Sequence, residues 1–175
     1  MVSALPGIGS AQTRAQEAAE RVTDPELPML TLADLGVLRG VEAKADGAVV
    51  VRVTPTYSGC PAMAEMRSRL AAELRAAGFH EVRVKTELQP PWTSDWISEA
   101  GRRKLAEHGI APPGSAPPSD AGPVPLVLSP TRRVVPCPRC GSGDTEELSR
   151  FAATSCRALH RCRSCREPFE HFKEI

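Results

Sequence analysis

Aromatic side chains are scarce in this sequence, with four Phe, two Trp and one Tyr, and net charge is nearly absent at +1. A chain that grips nucleic acid or an anionic membrane needs an excess of basic residues, so neither is an expected partner. No apolar run approaches the ~18 residues that suggest a membrane span. The opening stretch MVSALPGIGSAQTR lacks a basic start followed by a long apolar region, so no export signal is expected. Also missing are a Ser-His-Asp order, a phosphate-binding glycine loop, a dinucleotide fingerprint and the paired Glu-x-x-His helices of a diiron centre. No internal repeat is visible. With 41% apolar residues and balanced charge, the chain has the composition of a folded globular protein. Without export the expected compartment is the reducing cytoplasm, where cysteines serve more often as metal ligands or reactive thiols than as disulfides.

Residues 1–12 are small and read as a flexible leader. Thr13 and Gln16 have the form of a capping box, and Ala15, Ala18, Ala19 and Val22 then share a helical face. Thr23–Pro28 ends that helix, because the residue before a proline is pushed out of helical dihedrals. From Leu35 the apolar period becomes two, through Val37, Val41 and Ala43 and again through Val49, Val51 and Val53. Asp46-Gly47 between them is a two-residue hairpin signal. After Pro61 the helical period returns, with Met63, Met66, Leu70, Leu74 and Ala77 aligned and Gly78 suited to the end. A third strand places Val82, Val84 and Thr86 inward. Thr93 or Ser94 can cap a last helix running through Trp96, Ile97, Ala100 and Leu105 to Gly109, with Trp92 and Trp96 as core or rim packing.

The expected order is therefore α-β-β-α-β-α, an α/β arrangement of the α+β kind. It has a small mixed three-stranded sheet, packed helices and one parallel strand–helix–strand crossover. Residues 109–133 hold 7 of the 17 prolines and read as a semi-rigid linker. The expected division is a domain over 13–109, a linker over 110–133 and a small module over 134–175. The last 45 residues carry 9 basic and 6 acidic side chains, a mild bias.

That module contains CPRC and CRSC with 21 residues between them. A Cys-x-x-Cys turn aims two sulfurs at one point, and two such turns make a tetrahedral site for zinc, or for iron. Cys137, Cys140, Cys162 and Cys165 are thus the expected ligands. About 40 residues build too small a core to be stable alone, so the metal would supply folding energy. Cys156 is a fifth thiol: either a buried strand residue or a substitute ligand or transfer thiol. His160 and His171 read as packing or surface residues.

The sixth cysteine stands alone. In TPTYSGCPAM, Pro61 suits the first helical position, which would make Cys60 the N-cap, where the helix dipole favours thiolate. Thr54, Thr56, Tyr57 and Ser58 supply hydroxyls around this turn. Plain packing is the competing reading, although the end of a strand is where open α/β sheets bind ligands. Asp24 and Glu26 read as turn formers rather than an acid/base pair.

VTDPELPMLTLADLGVLRGV, TPTYSGCPAM and PPWTSDWISEAGRRKLAEHGI together resemble the SufT-type iron–sulfur cluster assembly domain. Joined to CPRCGSGDTEELSRFAATSCRALHRCRSCREPFEHFK, they resemble the PaaD family, accessory subunits encoded with bacterial phenylacetyl-CoA epoxidase. The resemblance implies a non-catalytic role in maturing metal centres, with Cys60 as the motif cysteine and Asp24 and Glu26 in its DPE element. It implies transient binding of iron or an iron–sulfur cluster, and the epoxidase's reductase and oxygenase subunits as partners; homodimerisation stays open. A structural docking component with no metal-transfer role is the alternative. A zinc-ribbon nucleic-acid binder and a thiol-dependent enzyme are weaker, for want of interleaved aromatics and of a histidine near Cys60. Relatives of this type often end in a cysteine-containing FKCI-like sequence. Here it reads FKEI with Glu174, so a mechanism needing a terminal cysteine would not apply.

Overall fold

A run of alanines builds the first element, α1 (Ile8–Glu20), in the computed structural model, which describes residues 8–116 and 134–175. Ala15, Ala18 and Ala19 are fully buried, as their spacing predicts. The helix starts before the expected cap: Thr13 Oγ1 donates to the Gly9 carbonyl at 3.0 Å and Gln16 Nε2 to Glu20 Oε1 at 2.6 Å. Both bonds span i to i±4 inside the helix, so no capping box forms and residues 8–12 of the expected leader are helical. Two compact units follow from the chain's contacts, Met1–Gly101 and Arg102–Ile175.

The first unit holds β1 (Leu38–Ala43), β2 (Val49–Val53), α2 (Met63–Ala76) and β3 (Val82–Thr86). The sheet order is β1-β2-β3, with β1 antiparallel and β3 parallel to β2, the expected mixed sheet. Helix α1 packs on β1, α2 packs on β3, and the two helices touch, so both cover one face. That face carries Val41, Val49, Val51 and Val53 from the sheet and Met66, Leu70 and Leu74 from α2, all buried. Glu42, Arg52 and Glu87 form ion pairs at 3.7 and 3.8 Å. Alternation with period two thus separates an apolar face from a charged one.

Two local details differ from expectation. The β1–β2 hairpin closes through Gly47 N–H donating to the Lys44 carbonyl at 3.0 Å, with Gly47 at φ +86. This is a three-residue loop ending in a left-handed glycine; the Asp46 carboxylate accepts from Ala48 N at 3.0 Å instead of helping to form a two-residue turn. The expected last helix is broken in two. Thr93 caps a short 3-10 turn (Ser94–Trp96), the chain extends at Ile97, and α3 (Glu99–Glu107) starts where Ser98 Oγ accepts from Gly101 N at 2.9 Å. Ser98 N donates to the Asp34 carbonyl at 2.9 Å, which pulls the backbone out of helical form at that point.

Both tryptophans pack, as expected. Trp92 is buried and donates its indole N–H to the Leu35 carbonyl at 2.9 Å, while the Arg39 guanidinium stacks 3.6 Å from the Trp96 ring centre.

In the second unit, β5 (Thr145–Ser149), β6 (Arg157–Cys162) and β7 (Pro168–Phe172) form an antiparallel ribbon. A fourth strand, β4 (Ile110–Ala111), pairs parallel with β7. Residues 110–111 fall at the start of the expected linker, and Gly114 N donates to Glu174 Oε1 at 2.9 Å. Residues 117–133, most of the expected linker, lie outside the described residues. No helix among the described residues is long and apolar enough to cross a membrane.

Gly36 combines a left-handed φ of +67 with a close approach: an added Cβ would stand 2.6 Å from the Trp96 carbonyl oxygen. Gly36→Ala should lower stability by about 2–4 kcal/mol, from left-handed strain plus overpacking. Gly47→Ala, where an added Cβ meets nothing within 4 Å, should cost about 1 kcal/mol from the backbone alone. Urea denaturation of the two variants checks the difference.

Candidate metal centre

The two cysteine turns are shaped by backbone bonds before any ligand is considered. In the first, Gly141 N donates to the Cys137 carbonyl at 2.8 Å and Cys137 N to the Ser142 carbonyl at 2.9 Å. In the second, Cys162 N donates to the Glu167 carbonyl at 3.0 Å, Cys165 N approaches Cys162 Sγ at 3.5 Å, and Arg166 takes a left-handed φ of 64. Each turn presents its sulfurs inward, and the four come within 4.8 Å of one another. Cys137 and Cys165 lie 3.8 Å apart, and Cys140 and Cys162 3.6 Å. Four sulfurs at a zinc–sulfur distance of about 2.3 Å and tetrahedral angles would be about 3.8 Å apart, so the donor set fits that ion.

Electrostatics lead to the same conclusion. The Cys165 N–H, with help from Cys140, lowers the Cys162 thiol to about 6. At Cys165 the backbone N–H of Glu167 lowers the pKa, but burial and the other three sulfurs outweigh it and push the thiol up to about 12. Four thiolates at this spacing need a cation to ionise together. Cys137 and Cys162 are buried and belong to the small core with Ala111, Val135 and Phe169, while Cys140 and Cys165 are exposed.

Other residues that hold the turns together are not marked by any motif in the sequence. Ser142 and Ser164 join the turns by a hydroxyl bond of 2.8 Å. Glu146 accepts from Arg161 Nε at 2.8 Å and Arg163 Nη2 at 2.9 Å. The signal available was cross-strand register, since Glu146 pairs with Arg161 across β5 and β6.

Cys156 is buried beside Thr154, its sulfur 3.1 Å from the hydroxyl. It lies at the far end of β6 from Cys162, six residues away, or about 20 Å along an extended strand. It cannot substitute for a ligand in the folded ribbon. His160 and His171 are buried packing residues: His160 stacks on Phe169 at 5.6 Å and meets His171 edge-on at 5.3 Å.

Cys60 is half-buried and lies in the first unit, between the end of β2 and the start of α2. It is not the N-cap. Ala62 holds that position, with no side-chain cap bond. Met63 N donates to the Cys60 carbonyl at 3.4 Å, so Cys60-Pro61-Ala62-Met63 is a turn ahead of the helix. Proline's fixed φ suits the second position of such a turn as well as the first of a helix, which is why the sequence pattern points to the wrong cap. Thr54 and Thr56 are buried beneath this turn's start, Tyr57 is half-buried, and Gly59 is exposed.

Asp24 is buried, and its Oδ1 accepts from the backbone N–H groups of Glu26 and Leu27, each at 2.8 Å. It is the turn former expected from its setting, and Glu26 is exposed.

Fold and sulfur site together define a class: an iron–sulfur assembly-type domain followed by a four-cysteine ribbon. Residues 12–86 match the family described as iron-sulfur cluster assembly protein, and residues 121–173 the one described as PaaD zinc beta ribbon domain. Over 156 residues the chain is 42% identical to an Escherichia coli K12 protein named provisionally as a subunit of 1,2-phenylacetyl-CoA epoxidase, covering 89% of this chain and 88% of that one. It is 32% identical over 85 residues to an Fe-S protein maturation auxiliary factor of Porphyromonas gingivalis, covering 48% of this chain and 80% of the relative. Among solved structures it is similar to a DUF59 domain from Bacillus anthracis, with TM-score 0.51 and 25% identity over 55% of this chain and 92% of that one. The chain belongs to the PaaD family.

Because Cys165 is protonated at neutral pH without a cation, metal binding must expel protons. Zinc added to metal-stripped protein near pH 7.5 should release protons from Cys140 and Cys165, and affinity should fall as pH drops toward 6, where Cys162 is protonated as well. Cys137→Ser or Cys165→Ser should lose the metal, and Cys156→Ser should retain it. Calorimetry in buffers of different ionisation enthalpy, with metal analysis, checks all three.

Proposed function

We propose that this protein is a non-catalytic accessory factor of bacterial phenylacetate degradation, active in the cytoplasm. In this reading it matures the iron–sulfur or diiron centre of the phenylacetyl-CoA 1,2-epoxidase system. The observation that carries it is the division of the six cysteines. Four gather into one site in the ribbon, while Cys60 occupies a strand-to-helix turn of the assembly-type domain. The ribbon sulfurs hold zinc, or iron in its place, as a structural ion. Cys60 takes iron or a cluster as transient cargo through its sulfur. Asp24 shapes its own turn through two backbone bonds, Thr56 is buried four residues before Cys60, and exposed Glu26 offers a carboxylate beside Asp24.

The clients are the reductase and oxygenase subunits of the epoxidase. The similarity to a maturation auxiliary factor, which is said of that relative, supports the assembly role. A second reading has support too: the Escherichia coli relative is named as part of the epoxidase, which would suit a docking component without metal transfer.

Cys60 is only half-buried, so Cys60→Ala should change stability by less than about 1 kcal/mol. The variant should nevertheless leave the client short of iron in a strain growing on phenylacetate. A stable, abundant Cys60→Ala chain that supports normal client metal content would reject the transfer role and favour docking. Purified protein should show no epoxidation of phenylacetyl-CoA; measurable turnover would overturn the accessory reading.

A further inference from the structure

The two edges of the three-stranded sheet are finished differently. On β1 two of the outward backbone groups are covered, since Gln12 Nε2 donates to the Val41 carbonyl and Gln12 Oε1 accepts from Ala43 N, each at 2.8 Å. On β3 no hydrogen bond from a described residue covers them. Val49 N donates to the Glu81 carbonyl and Glu87 N to the Val53 carbonyl, so the odd-numbered residues of this strand face β2. The N–H and C=O groups of Val82, Val84 and Thr86 therefore point away from the sheet.

Beside this edge lies a groove of about 460 Å³ between β3 and α2. Ala64, Ala71 and the half-buried Val82 and Val84 make its apolar lining, and Arg67 and Arg75 its rim. On the opposite face Arg83 and Lys85 are exposed. On that face Arg83 is ion-paired with Glu81, so the cationic flank of the apolar strip is the Arg67 and Arg75 rim on α2, joined by Lys85 from the opposite face.

We infer that β3 is a docking edge for an extended acidic segment of a partner protein, which adds to the sheet as a parallel or antiparallel fourth strand. Backbone bonds would come from Val82, Val84 and Thr86. Arg67 and Arg75 are eight residues apart on α2, about 12 Å along the helix axis. Four residues of an extended strand span about 13 Å. The groove therefore suits an acid–apolar–acid pattern at alternate positions, with the apolar side chain against Ala71.

A second copy of this chain is a poor occupant. Antiparallel self-pairing centred on Val84 sets Arg83 against Lys85 and Glu81 against Glu87, while pairing centred on Arg83 or Lys85 sets that residue against itself. The groove also begins close to the cysteine turn, because Ala64 follows Cys60 by four residues and so lies within roughly 14 Å of it by chain length alone. The docking edge does not depend on Cys60 carrying metal.

The test uses full-length ¹⁵N-labelled protein and two blocked heptapeptides, Thr-Glu-Thr-Val-Thr-Glu-Thr and Thr-Lys-Thr-Val-Thr-Lys-Thr. The acidic peptide should shift the Val82, Val84 and Thr86 amide resonances and slow their exchange with solvent; the basic peptide should not. Reversing the rim with Arg67→Glu and Arg75→Glu should weaken the acidic peptide by about tenfold and admit the basic one. Both changes are on exposed helix positions, and an unchanged spectrum elsewhere will show that the fold is kept. No shift at the β3 amides at millimolar peptide, or equal shifts by both peptides, would overturn the inference. So would concentration-dependent shifts of the same amides without peptide, which would assign the edge to a second copy.

Discussion

Four sulfurs held within 4.8 Å of one another cannot all carry charge unless a cation lies among them. The second unit depends on that constraint. Two of the sulfurs, on Cys137 and Cys162, also belong to its small buried core, so the ligand set and the core share residues. Beyond them a ribbon of this size buries only a few large side chains, Phe169 and Phe172 among them, and the ion's binding energy becomes folding energy. The hydroxyl bridge between Ser142 and Ser164 and the pair of hydrogen bonds that Glu146 accepts from Arg161 and Arg163 hold the turns in register around the site. Burial of His160 against Phe169 and His171 fills the space that remains near the middle of the strands.

The first unit works on a different balance. Its sheet buries one valine-rich face under two helices, and Trp92 and Asp34 tie the segments after β3 back to the loop before β1. No metal is needed to explain that packing. Cys60 is half-buried in a turn and is therefore not part of a packed core in the way that Cys137 is. That difference between the two kinds of cysteine supports one structural ion and one site for transient cargo.

Much of this was legible in the chain because the signals are local. Period-two valines, the Met66–Leu70–Leu74 spacing and the two Cys-x-x-Cys pairs each require only a few residues to read, and all three are realised. Where sequence and structure part, local options compete. Pro61 fits a turn as well as a helix start, and the turn prevails at Cys60. The last helix has helical composition throughout, yet a bond from Ser98 to Asp34, 64 residues away, breaks it. Strand β4 could not be read at all: Ile110–Ala111 precede two prolines, and only β7, some 60 residues later, makes them a strand. In the same way Glu174, which the sequence marks only as a missing cysteine, holds Gly114 to the ribbon.

The most direct test of two separate metal roles is a metal count on protein purified without oxygen, before and after brief alkylation and chelation. The account predicts one tightly held ion per chain that survives chelation and is lost only when the ribbon cysteines are changed. It predicts in addition an iron or cluster signal that disappears when Cys60 is alkylated, with the tight ion untouched. A chain whose iron content is indifferent to Cys60, or whose only metal leaves when Cys60 is blocked, would contradict it.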